Sequence, residues 1–363
     1  MKIKMATTMH ITKRHACEVS LLANLSSPLL AIVVTLVLSS MMLYLLDYPI
    51  LPTFYSFFIE PLDTLYSFTE VVGRASILII IAMGLSVGFR ANIFNIGAEG
   101  QYIFGAIMGS VVAIYFEGRT GLHIIPLMIL GAMLGGMAYA SIPALLKNKL
   151  GTNEIITSLM LVYIAELLLS YLIQGPLKDP NGMNFPQSIY FSDSAIYPYL
   201  LEGTRLSMTP IIVLVLTPLV YFFLFKTYTG FGLKVLGFSQ NASKYAGFSN
   251  KRIVWISFLF AGALSGLAGI SETSANVGQL VPAVASGYGF SAIIVAFLGR
   301  LHPVGIVFAG LLLALIYIGA ESAQISLGLP VSIGGIFQGL ILFSLLACDF
   351  FVFYQIKLSR KRH

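Results

Sequence analysis

Long apolar runs alternate with short polar stretches along almost the whole chain. Ten runs reach the length or composition expected of membrane helices: residues 28–46, 71–89, 100–116, 124–146, 152–174, 210–225, 253–270, 290–298, 304–320 and 333–353. A helix needs about 20 mostly apolar residues to cross a bilayer. The pattern therefore predicts an all-α polytopic membrane protein with about ten transmembrane helices. Two polar, glycine-containing stretches interrupt it. Residues 88–105 carry Arg90, Asn92, Asn95, Glu99 and Gln101 between two apolar runs, with Gly88, Gly97, Gly100 and Gly105. Residues 271–289 carry Ser271, Glu272, Thr273, Ser274, Asn276, Gln279 and Ser286. Polar side chains at membrane depth are costly unless they face protein or water, and broken helices in two halves of a chain point to a transport pathway. The two breaks suggest an internal repeat, with halves of roughly 71–225 and 253–353.

Composition supports the same class. Hydrophobic residues make up 57% and charged residues 10% of the 363-residue chain, against about 25% charged in a soluble domain. One integrated membrane domain, residues 28–354, is expected between a polar N-terminal tail, 1–27, and a basic C-terminal tail, 355–363. The first apolar run is too long for a signal-peptide core and has no clear small-residue cleavage site, so it reads as an uncleaved span. Residues 47–70 are aromatic and acidic and suit a membrane surface, with room for a short helix.

The net charge of +6 matters less than its placement. With the N-terminus in the cytoplasm, seventeen of the 21 Lys and Arg fall on cytoplasmic segments, and Arg74, Arg119, Lys178 and Arg205 fall outside. Positive residues favour the cytoplasmic side. Both termini are therefore expected inside. Residues 226–252 hold five of these bases and no acid, and residues 239–246 suit a short helix.

Candidate pathway residues follow from depth and polarity: Asn92, Asn95, Glu99 and Gln101 in the first break, Glu272 and Asn276 in the second, and Glu166 in mid-span. Asn153 and Glu154 open the fifth run, where Thr152 is a plausible N-cap and Glu154 suits the helix dipole. For Glu154, helix capping and a pathway role both stand. For Glu272 and Asn276, an exposed loop and an outer mouth both stand. Arg90 reads as an inner-interface anchor. The histidines (His10, His15, His123, His302, His363) are scattered and Cys17 and Cys348 lie far apart. No metal site, disulfide framework or catalytic cluster is indicated. No P-loop is present, so ATP is not bound in that way.

The segments FRANIFNIGAEGQ (89–101), GTNEIITSLMLVYIA (151–165), LGFSQNASKYAGFS (236–249) and GYGFSAIIVAFLGRLHPVGI (287–306) occur in that order. Together they resemble the permease subunits of bacterial ABC importers of the nucleoside and simple-sugar type, within the ribose/branched-chain amino acid permease superfamily. The resemblance runs from about Val71 onward. It implies a multi-pass permease in the bacterial plasma (inner) membrane that catalyses no covalent reaction and carries no cofactor. Its partners would be one or more ABC ATPase subunits, a second permease subunit, identical or related, and an extracytoplasmic substrate-binding protein. A nucleoside or related simple sugar is the implied substrate, and no nucleic acid partner is expected. The resemblance also makes 226–252 a coupling loop whose short helix docks on the ATPase through Ala242, Tyr245, Ala246 and Gly247, with its lysines facing acids or lipid headgroups. The rival reading is an ion-coupled secondary transporter using Glu99, Glu166, Glu272 or Glu321.

Overall fold

The computed structural model describes residues 6–13, 21–121, 123–201, 203–330 and 332–361. Several tail features noted above, among them His15, Cys17 and His363, lie outside them. Each of the ten apolar runs falls on a helix. Among the described residues, six helices are long and apolar enough to cross a membrane, and three further apolar helices are shorter.

The chain divides into two compact units. One comprises residues up to Ser56 and from Ala323 onward. It holds α1 (Leu21–Leu45), most of α2 (Ile50–Phe58) and α14 (Ser332–Phe353), with α1 and α14 in contact. Phe54 meets the ring of Phe337 edge-on at 6.2 Å. Strands β1 (Ala6–Lys13) and β2 (Tyr354–Lys361) pair antiparallel, Ala6 opposite Lys361. The sequence reading treats both segments as tails, because eight-residue polar stretches at chain ends carry no signal for pairing across more than 300 residues.

The larger unit, Phe57–Ser322, contains both broken segments. After α3 (Glu60–Asp63) comes α4 (Leu65–Arg90), which starts six residues before the expected span. Thr64 caps it, accepting a hydrogen bond from the Ser67 amide at 3.1 Å. Then follow α5 (Ala98–Tyr115), α6 (Ile124–Leu150), α7 (Glu154–Gln174) and α8 (Thr209–Lys226). The segment predicted to carry one short helix carries two, α9 (Tyr228–Phe238) and α10 (Gln240–Tyr245). Thr227 and Ser239 cap them. α11 (Asn250–Glu272) runs into a π turn at Thr273–Val277, followed by α12 (Tyr288–Leu298) and α13 (Pro303–Leu327). α12 has eleven residues, a length of about 16 Å or half a bilayer core. It is the broken helix of the second half.

α4 and α11 form the centre: 83% and 78% of their apolar windows are buried, against 22% for α7 and for α8. Small residues let the backbones meet there. A Cβ on Gly266 of α11 would run into the Ala132 carbonyl of α6, and one on Gly105 of α5 into the Gly266 backbone. Gly136 and Gly262 face each other's carbonyls in the same way. In lipid, where apolar side chains gain little by leaving the solvent, such close approach through dispersion contacts is the main source of helix association.

Candidate functional site

All five of the polar residues at the first break are hydrogen-bonded within the chain. α4 ends when Asn92 turns left-handed (φ 55°), and the Ile93 amide bonds back to the Gly88 carbonyl. Asn tolerates that backbone region better than most side chains. Asn92 is exposed, and its amide nitrogen donates to the Gly237 carbonyl of α9 at 2.7 Å. Asn95 and Gln101 are buried as a reciprocal amide pair, with bonds of 3.0 and 3.1 Å. The Asn95 side-chain oxygen also accepts from the Gly97 amide. Each of these buried polar atoms thus has a partner, as its depth requires.

Glu99 is 1% exposed. Its carboxylate accepts from the Gly287 amide at 2.8 Å and the Gly289 amide at 2.5 Å. These amides belong to the N-terminus of α12, whose first N–H groups have no partner within the helix and whose dipole favours an anion. Gly287 sits at φ 81°, a conformation that suits glycine and turns its amide toward the acid. A Cβ on Gly289 would meet the Glu99 backbone. The two broken segments therefore meet at one buried carboxylate.

At the second break, Glu272 is buried and accepts from the Asn276 side chain at 2.6 Å, while Asn276 is half-buried. A freely exposed loop does not describe this stretch. The long segment between α7 and α8 stitches it in place: Ser188 and Phe191 donate their amides to Leu280 and Gly278, and Ser274 donates its hydroxyl to the Ala195 carbonyl. Nearby, Tyr288 stands edge-on to Tyr102 and Tyr317, at 6.1 and 5.8 Å between ring centres.

The other predicted residues lie elsewhere. Asn153, not Thr152, caps α7, since its side-chain oxygen accepts from the Ile155 amide at 2.9 Å. Glu154 forms an ion pair with Lys147 of α6. Glu166 is half-buried in the middle of α7, a helix with little of its surface covered. Ala242, Tyr245, Ala246 and Gly247 are all exposed on and just after α10, Tyr245 to 94%.

Sequence reasoning missed two features. Arg74 and Glu321 form a two-pronged ion pair, at 2.9 and 3.3 Å, between α4 and α13. An isolated Arg in an apolar run is itself the signal for an acidic partner. Ser158 of α7 receives the Ile96 amide at 3.2 Å, and Gly97 lies against its backbone. Among the described residues, no group of three His, Cys, Asp or Glu is placed to hold a metal ion.

Membrane-length helices, two breaks joined at a buried acid and a bare short helix on a basic segment fit a transport permease. Residues 67–346 match the family described as branched-chain amino acid transport system / permease component, and the chain belongs to that family. It is 34% identical over 346 residues to the glucose ABC transporter permease protein TsgB13 of Haloferax volcanii, covering 93% of this chain and 90% of that one. It is 30% identical to the guanosine ABC transporter permease protein NupP of Bacillus subtilis, covering 94% and 98%. It is 31% identical to the nucleoside ABC transporter permease protein NupB of Lactococcus lactis, covering 87% and 89%. In each of these organisms a second protein named as such a permease matches at 26% identity. The chain is thus the membrane-spanning permease subunit of an ABC transporter, a class that works with an ATPase and a binding protein.

Proposed function

We propose that this permease imports a nucleoside or a related simple sugar, received from an extracytoplasmic binding protein. The observation that carries this reading is that the three relatives above, matched over nearly their full length, bear the names glucose, guanosine and nucleoside permease. Asn92, Asn95, Glu99, Gln101, Glu272 and Asn276 lie along or support the pathway. Asn153 and Glu154 serve the entry of α7, next to Lys147 at the end of α6.

Both termini and the α9–α10 segment face the cytoplasm, where seventeen of 21 basic residues then lie. α10 docks on the ATPase. Tyr245, exposed to 94%, supplies an aromatic anchor, and Ala242, Ala246 and Gly247 allow close approach. ATP is hydrolysed on that partner and not on this chain. The second permease is a different chain, as the paired permeases of the three organisms suggest. It covers the open face of α7, where a half-buried Glu166 at mid-span needs protein or water beside it rather than lipid. An ion-coupled mechanism is not favoured, because Glu99, Glu272 and Glu321 are already bonded within the chain.

The test is uptake of labelled guanosine and labelled glucose by cells that express or lack the chain, each competed with unlabelled nucleosides and sugars. Loss of one of these uptakes on deletion is expected. Unchanged uptake of both, with loss of branched-chain amino acid uptake, contradicts the substrate assignment.

A further inference from the structure

Residues 90–99, at the junction of α4 and α5, touch α8, α9 and both ends of α12. Asn92 is hydrogen-bonded to Gly237 at the end of α9. Gly237 is also the point of closest backbone approach, since a Cβ there would meet the Arg90 carbonyl. Arg90 donates from Nε to the Leu301 carbonyl, just past the C-terminus of α12, at 3.1 Å. Its guanidinium also lies 4.3 Å from the centre of the Phe225 ring. Glu99 holds the N-terminus of the same helix through Gly287 and Gly289. Phe89 stacks on Phe297 at the C-terminal end of α12, 5.0 Å between centres. Both ends of α12 are thus fixed to one short segment, and that segment is fixed to α9.

The segment is stiff. The Ala91 and Ile93 amides both bond to the Gly88 carbonyl, the Asn95–Gln101 pair closes the next turn, and Gly97 sits against Ser158. By contrast, a cavity of about 410 Å³ opens beside the Asn92–Gly237 bond, bordered by Lys147, Gln240 and Lys251. It leaves α9 and α10 room to shift against the bundle.

We propose that residues 90–99 act as a connecting rod between α9 and α12, with Asn92 the positioning residue that ties the rod to α9. A displacement of α10 and α9 is carried through the Asn92–Gly237 bond to the rod, and by Arg90 and Glu99 to both ends of the half-helix. The proposal rests on α10 being the element the ATPase moves. It also gives Asn92 a role other than lining the pathway.

Asn92 has a simpler explanation, that it is there only for its left-handed backbone. Glycine adopts that backbone without a side chain, so Asn92→Gly keeps the turn and removes the bond. Asn92→Asp keeps shape and tolerance of the turn but has no N–H to give. The reporter is Ser286→Cys beside the N-terminus of α12, where Ser286 is exposed, in a chain carrying Cys17→Ala and Cys348→Ala. The complex with its ATPase and second permease is reconstituted, and the rate of reaction with an impermeant maleimide is compared without nucleotide and after trapping with ATP and vanadate. This readout needs no transported substrate. A wrong guess about nucleoside or sugar leaves it intact and shows instead as absent uptake of guanosine and glucose.

The reference complex is expected to show different rates in the two states. Asn92→Gly and Asn92→Asp are expected to hydrolyse ATP while that difference shrinks by about fivefold, the population shift that one net hydrogen bond supplies. A full nucleotide-dependent difference in Asn92→Gly overturns the proposal, as does a reference complex whose two rates are equal.

Discussion

The Glu99 carboxylate lies 2.5 Å from the amide nitrogen of Gly289, 190 positions further along the chain. The bond joins α5, the helix that follows the first half's break, to the half-helix of the second. Removing the acid strands two buried N–H groups at about 1–3 kcal/mol each. Glu99→Ala is therefore expected to lower the melting temperature of the purified permease and to abolish uptake. Glu99→Gln keeps an acceptor oxygen and is expected to retain part of both. Thermal unfolding in detergent, followed beside uptake in vesicles, checks this. Equal behaviour of the two variants, at wild-type level, contradicts the capping role.

The α11–α6 crossing gives a second expectation. Gly266→Ala places a methyl group against the Ala132 carbonyl, and overpacking of this kind costs about 1–3 kcal/mol. Gly335 of α14 is exposed and has no atom within reach of a new Cβ. Gly335→Ala should therefore leave the melting temperature unchanged or slightly higher, while Gly266→Ala lowers it. A size-exclusion thermal-shift series on the two variants gives the comparison directly.

The exposed α10 should be separable from the bundle. Ala246→Glu alters no spanning helix, so the chain is expected to insert and fold normally. It puts a charge where close contact with the ATPase is proposed, so uptake should stop and hydrolysis should no longer respond to loaded binding protein. Tyr245→Ala is expected to weaken ATPase binding by about 2 kcal/mol, the size of an interface hot spot. Co-purification of the ATPase with each variant measures the loss.

At the second break, Asn276 is half-buried and tied to Glu272. In a cysteine-free background, Asn276→Cys is expected to react with an impermeant thiol reagent added outside. Loaded binding protein should slow that reaction if this stretch lies at the outer mouth. The same rate with and without the binding protein would place it away from the mouth.

Much of the helical layout is legible in the sequence because a membrane span declares itself by length and apolarity alone. The ends of helices are less so. α4 starts at Leu65 because the Thr64 hydroxyl caps it within an aromatic stretch that reads as interfacial. α7 is capped by Asn153 rather than its neighbour Thr152, a choice made by backbone geometry that composition does not carry. Asn95, Glu99 and Gln101 stand out as polar residues at depth, but their partners do not. Asn95 and Gln101 satisfy each other, and Glu99 bonds to two glycine amides. Backbone amides have no side-chain signature, so a carboxylate that binds them looks in sequence like one awaiting a ligand. α9 was hidden for a similar reason. Its glycines argue against a helix, yet Gly230 and Gly237 are where it packs against the Leu224 and Arg90 backbones.

The most direct test of the account is transport by the purified chain in liposomes, with and without the ATPase. The second permease is present throughout, with loaded binding protein supplied on the side opposite α10. The account predicts uptake only when ATPase and ATP are both present, with no effect of a proton or sodium gradient. Gradient-driven uptake without the ATPase would contradict it.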